Sequence, residues 1–244
     1  MASLLEDIHN TITPTPTLWW LGGYGFIVRF ATITFYVDPF LPEGGPIKPG
    51  EIKNADMILL TDAERLHAGT LLPMLDRSKG AKVLMPKSAC GAAHAAGIPY
   101  ERMTTTDADL RVEYFKDNLY GRVYAVPSAR PQLDRTPLGG HPHLGYLIRF
   151  GRWTVYHGGS GTWYPELADR LRPFNVNVAL LPVGGEDFSV AEAASLAADI
   201  GAGWVAPMGA ADCGEAFIAH LLGHRPAQAF KVFEKGEKWT VPEE

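Results

Sequence analysis

The chain has 244 residues, 46% of them hydrophobic and 20% charged, with a formal net charge of -5, enough for one large domain with a substantial core. An acidic chain without a Lys/Arg-dense run points away from nucleic acid and anionic membrane as partners, and no segment approaches the roughly 20 apolar residues that span a bilayer. The acids of the first ten residues (MASLLEDIHN) and the two cysteines, Cys90 and Cys213, predict a cytoplasmic protein with buried, inert thiols rather than a disulfide framework.

Residues 1–17 read as a short helix and a Thr/Pro linker leading into a single domain that takes in the rest of the chain. Aromatic and β-branched runs at 18–21, 26–30 and 33–37 predict three consecutive antiparallel strands, closed by Asp38-Pro39. After a Pro/Gly-rich loop, a strand at 57–60 runs into a helix from about Ala68, followed by a strand at 82–85 and an alanine-rich helix at 88–96. The middle returns to strands, at 110–115, 122–126, 144–150 and 153–156. The pattern then alternates: helix 164–171, strand 178–182, helix 190–200, strand 204–207, helix 215–222, with final strands at 231–233 and 239–241. Each half thus runs from antiparallel strands into alternating strand and helix, which two face-to-face sheets with helices outside would satisfy.

The junction Thr61-Asp62-Ala63-Glu64-Arg65-Leu66-His67 joins an apolar strand to a helix. With Trp20-Leu21-Gly22, Tyr36-Val37-Asp38-Pro39, Ala125-Val126-Pro127, Tyr156-His157-Gly158-Gly159, Leu180-Leu181-Pro182 and Val205-Ala206-Pro207-Met208, it resembles the metallo-β-lactamase superfamily, closest to its ascorbate-6-phosphate lactonase-like branch. The resemblance implies an α/β fold, a metallo-β-lactamase-like αββα four-layer sandwich, and hydrolysis by a hydroxide bridging two metal ions. Its ligand signature Thr-His-x-His-x-Asp-His places histidines at Asp62 and Glu64, aspartate at Leu66, and histidine at His67. Further ligands would fall on Arg130, Ser160 and Gly209. Of the seven positions only His67 keeps its ligand, leucine cannot coordinate, and an always-protonated Arg130 repels a cation.

No metal and no cofactor is therefore expected. Side chains at i and i+2 of an extended segment point the same way, so Asp62 and Glu64 are predicted to project together into the former metal cavity, with His67 one turn onward as the third catalytic group. Like charges at close range would hold one carboxyl protonated. Arg130 would hold the ionised partner or anchor an anionic substrate. Ser160, Ser128, Tyr164 and Trp163 would add hydrogen bonds and stacking, and His157 would support Ser160. Asp187 and Asp212 are alternative partner carboxylates at strand ends, and Asp38 reads as structural. Paired carboxyls are what glycoside hydrolysis needs, and Trp19, Trp20 and Trp163 would suit a sugar face.

The sequence thus predicts a metal-independent hydrolase, with a glycosidic bond as the leading target and a small molecule, a sugar derivative among the candidates, as substrate. The alternatives are a catalytically inactive binding or scaffold protein and a residual mononuclear metal-dependent lactonase or phosphodiesterase. A homo-oligomer is compatible with the chain, though no interface is legible in it.

Overall fold

The computed structural model describes residues 3–184, 189–209 and 213–243. Two compact units divide the chain. The first takes in the sequence up to Thr106, residues 116–119 and the segment from Glu234; the second takes in residues 107–115 and 120–233.

In the first unit, strands β1 (Thr17–Gly22), β2 (Gly25–Phe30), β3 (Ile33–Val37), β4 (Met57–Leu59), β5 (Lys82–Pro86), β6 (Met103–Thr106) and β14 (Lys238–Thr240) form one sheet, ordered β14-β1-β2-β3-β4-β5-β6. The segment β14-β1-β2-β3 is antiparallel and β3-β4-β5-β6 is parallel. Parallel neighbours need crossovers, and helices α2 (Ala68–Arg77) and α3 (Cys90–Ala95) supply the two that flank β5. Alternate residues share a sheet face. Accordingly Trp19, Leu21, Ile27, Tyr36, Ile58, Leu60, Val83 and Met85 pack with Leu71, Met74 and Leu75 of α2, Ala93 of α3 and Ile8 of α1 (Leu4–Asn10). At the far end of α2, Arg102 donates to the carbonyls of Leu75 (3.2 Å), Ser78 (2.8 Å) and Ala81 (2.6 Å). A cation there suits a helix C-terminus, whose last carbonyls lack intrahelical partners.

The second unit repeats the plan. Strands β7 (Arg111–Lys116), β8 (Leu119–Pro127), β9 (Leu144–Phe150), β10 (Trp153–His157), β11 (Val178–Val183), β12 (Trp204–Gly209) and β13 (Ala229–Phe230) lie in the order β13-β12-β11-β10-β9-β8-β7. The β8-β9-β10 ladder is antiparallel and the β10-β11-β12-β13 ladder is parallel. Helices α4 (Leu167–Leu171), α5 (Val190–Ile200) and α6 (Gly214–His224) bury Leu171, Ala193, Leu196, Ala197, Phe217 and Leu221 against Leu147, Tyr156, Leu181 and Val205. Both units are therefore α/β, and the predicted passage from antiparallel strands to strand–helix alternation is found in each.

Three details differ from expectation. The alanine-rich segment starts as a 3-10 turn, Lys87–Ala89, before α3. Strand β6 was not predicted, because its run Met-Thr-Thr-Thr lies at a sheet edge with little buried surface to pattern it. The last ladder strand is β13 at Ala229–Phe230, just ahead of the expected 231–233, of which Lys231 donates its N–H to the Val205 carbonyl at 2.9 Å. Among the described residues no helix is long and apolar enough to cross a membrane.

Candidate functional site

The junction after β4 is built around two buried carboxyls. Asp38, at the end of β3 and 3% exposed, sits in the left-handed region at φ 44°. It accepts from the backbone N–H of Thr61 at 2.8 Å and from the Thr61 hydroxyl at 2.6 Å. Burial pushes the Asp38 carboxyl up to about 7, with the nearby Asp62 adding to the rise, against the opposing pull of the Thr61 hydrogen bonds.

Asp62, 1% exposed, caps the turn that follows it. Its Oδ1 accepts from the backbone N–H groups of Glu64 (2.8 Å) and Arg65 (3.2 Å), and its Oδ2 lies 3.6 Å from Arg65 Nε. Short acidic side chains favour this position because they satisfy N–H groups left over at the start of a helical turn. The result is a 3-10 turn over Ala63–Arg65 rather than an extended segment. Asp62 and Glu64 therefore do not share a face: the first faces backbone amides, and Glu64 is exposed. Leu66 packs against the core of the first unit.

His67 is the N-terminal cap residue of α2 and lies half-buried with its ring 4.7 Å from that of Phe40. Burial holds its imidazole below the ordinary histidine value, and the neighbouring Arg65 charge acts in the same direction. It lines a cavity of about 410 Å³ in the first unit, shared with residues 21–25, Asp38, Phe40, Arg65 and Lys235. Arg65 lies over the Tyr24 ring at 4.5 Å. Arg65, Lys235, Tyr24 and Phe40 were not singled out by the sequence reading. Arg65 sits inside the signature at a position the resemblance leaves open, and no local pattern marks Lys235.

The remaining expected site residues belong to the second unit. His157 ends β10, fully buried, and its Nδ1 accepts from the N–H of Gly159 at 3.1 Å. The Tyr164 hydroxyl donates to the Pro127 carbonyl at 2.9 Å, and burial pushes its phenol upward, so it serves to tie the strand end. The loops carrying Arg130 and Ser160 run side by side, held by a bridge between Ala129 and Thr162. Gly161 is required there, because a Cβ would fall 1.7 Å from Ser128 Oγ and 3.0 Å from the Ala129 carbonyl. Arg130 and Ser160 are half-buried, and Trp163 is 38% exposed. Asp187 and Asp212 lie outside the described residues. The tryptophan trio does not survive as a sugar face. Trp19 is fully buried, with its indole N–H on Asp7, and Trp20 donates to the Gly23 carbonyl.

Among the described residues no group of three or more His, Cys, Asp or Glu side chains is placed to hold a metal ion. The ligand positions of the first unit offer a capping carboxylate, an exposed glutamate, a leucine and one histidine. Those of the second offer a guanidinium, a hydroxyl and a glycine. These residues do not fit a two-ion centre.

No family model matches the chain. A UPF0173 metal-dependent hydrolase of Thermococcus kodakarensis is 28% identical over 171 residues, 68% of this chain and 70% of the relative. The structure of Igni18, a metallo hydrolase from Ignicoccus hospitalis, matches with TM-score 0.73 and 19% identity, over 94% of this chain and all of Igni18. The metallo-β-lactamase fold protein YhfI from Bacillus subtilis matches with TM-score 0.67 and 12% identity, over 92% of this chain and 99% of YhfI. Two mixed sheets with their helices, matched at this level, define an α/β protein of metallo-β-lactamase fold. The chain thus has the metallo-β-lactamase fold and is similar in sequence to proteins named metal-dependent hydrolases; none of these likenesses points to the lactonase-like branch.

These comparisons overturn one expectation. Sequence relatives from several archaea carry the name metal-dependent hydrolase, which goes against metal-independent glycoside hydrolysis. The extended geometry assumed for Asp62 and Glu64 is also absent, since a 3-10 turn runs over Ala63–Arg65.

Proposed function

We propose that this chain is a small-molecule hydrolase that shares the metal dependence of its named relatives and itself holds at most one weakly bound ion. The observation that carries the reading is the kinship itself: metal-dependent hydrolases align with about two thirds of the chain. The restriction to one weak ion comes from the ligand positions. His67 still lines a cavity, whereas Asp62 is committed to backbone amides, Glu64 is exposed and Leu66 cannot coordinate. Binding weakens sharply as converging ligands are lost. Lactones and phosphodiesters are the substrates to try first.

The experiment is elemental analysis of purified, dialysed protein, followed by a panel of lactones and phosphodiesters with chelator and with added zinc or manganese. Expected are less than one ion per chain after dialysis, turnover abolished by chelation and restored by the ion, and loss of turnover in His67→Ala. Two tightly held ions per chain, or turnover indifferent to chelation, would overturn the reading.

A second reading is favoured by the way Asp62 and Arg65 are arranged. A carboxylate closed onto two amides beside a guanidinium is a poor ligand, so the cavity could serve a non-catalytic binding protein. Absence of turnover at every metal concentration, with ligand binding intact, would select it.

A further inference from the structure

We propose that the cavity of the first unit binds a small organic oxyanion carried on an apolar body, with Arg65 and Lys235 as its counter-charges. As a substrate site this rests on the hydrolase reading above; as a binding site it stands alone.

Arg65 is one acceptor short. Its Nε is buried and has no hydrogen-bond partner, and the nearest acid, Asp62, stays at 3.6 Å because its Oδ1 is held by two backbone amides. A buried N–H without an acceptor is rare in folded proteins. The side chain as a whole is 20% exposed and lines the cavity, so the terminal nitrogens of the guanidinium, which make no hydrogen bond among the described residues, are the donors left for an arriving oxyanion. The Tyr24 ring, 4.5 Å away, fixes the guanidinium over its face. A planar, pre-oriented fork of donors suits carboxylate and phosphate oxygens.

Lys235 brings the second charge. Among the described residues it has neither a hydrogen bond nor an ion pair. Its stem crosses Gly22, where a Cβ would stand 3.3 Å from Lys235 Cε and 3.7 Å from Nζ. Gly22 itself is at φ +101°, a conformation side chains rarely adopt. The backbone is therefore kept bare at the one point where the lysine passes over it.

The other polar groups do not compete for an anion. Both oxygens of Asp38 are engaged by Thr61. Asp62, 1% exposed, is not part of the lining. The apolar side chains of the wall are Leu21 and Phe40, the latter at 54% exposure with its ring against His67, and Gly22, Gly23 and Gly25 present bare backbone. A cavity of about 410 Å³ that sets two cationic groups beside the side chains of Leu21, Tyr24 and Phe40 fits a small organic ligand better than a bare ion.

The test is calorimetric titration of chelator-treated wild-type protein at pH 7 and low salt with phenyl phosphate, benzoate and neutral phenol. The same titrations on Lys235→Gln and Arg65→Gln follow, with circular dichroism to verify folding. Lys235 is exposed, so its variant keeps the test valid even if Arg65→Gln unfolds. Expected are binding of at least one anion, none of phenol, and affinity about tenfold weaker in each folded variant, as for loss of a charge-assisted hydrogen bond. Tighter phenyl phosphate assigns a phosphate ligand, and tighter benzoate a carboxylate. Failure of both anions, equal binding of phenol, or variants that bind like wild type would overturn the proposal. Turnover is not read, so failure of the hydrolase reading leaves this outcome untouched.

Discussion

Replacing Asp38 with asparagine isolates the cost of a buried carboxyl. In the folded chain burial raises this group from 3.8 to about 7. Below pH 3.8 both folded and unfolded chains hold the proton, and the group contributes nothing to pH dependence. Between roughly pH 4 and 7 the unfolded chain releases its proton while the folded chain keeps it, so stability falls as pH rises. Above about 7 both are ionised and the loss levels off. At 1.36 kcal/mol per pH unit the gap amounts to roughly 4 kcal/mol. Asparagine keeps an acceptor for the Thr61 N–H, and the Thr61 hydroxyl can turn to accept from the new amide. The assay is urea unfolding of both proteins, in chelator, at several pH values from 4.5 to 8. The stability of Asp38→Asn relative to wild type should rise by several kcal/mol across that range, since other titrating groups cancel in the difference. A difference that stays flat with pH would refute the argument that burial keeps this carboxyl protonated.

Three further substitutions probe the scaffold. Asp62→Ala removes the cap of the 3-10 turn and should cost about 1–2 kcal/mol, read by chemical denaturation. Arg102→Ala leaves the carbonyls of Leu75, Ser78 and Ala81 without their shared donor; a loss of about 2 kcal/mol is expected, and a change below the error of urea melts would count against it. Gly161→Ala forces a methyl onto Ser128 and the Ala129 carbonyl, with an expected loss of about 1–3 kcal/mol and a lower melting temperature.

Much of the fold was legible because local rules agree with it. Helix α5 begins at a Ser189–Glu192 capping box and stops at Gly201 in the left-handed region, so both ends carry signals. The hairpin strands β1 to β3 alternate or run apolar between glycines and turns. Strand β6 had no such signal, and its pairing with β5 decides its state. At the site, the register of the signature led to His67, which does line a cavity. The same signature misled at Glu64, because an extended geometry was assumed where Asp62 winds the chain into a turn. Lys235 was out of reach: it enters the cavity from the segment leading into β14, and only strand pairing brings it there.

That pairing joins Thr17 to Thr240 across 223 positions. During synthesis β1, with both its tryptophans, is translated long before the strand that shields its open side. An uncovered strand edge invites association with other chains, and so distant a closure is slow. Lys235 enters the same unit with this late strand, so a nascent chain, or one clipped ahead of residue 235, would lack half of the cavity's positive charge. The lining of this cavity is therefore complete only once the end of the chain has been made.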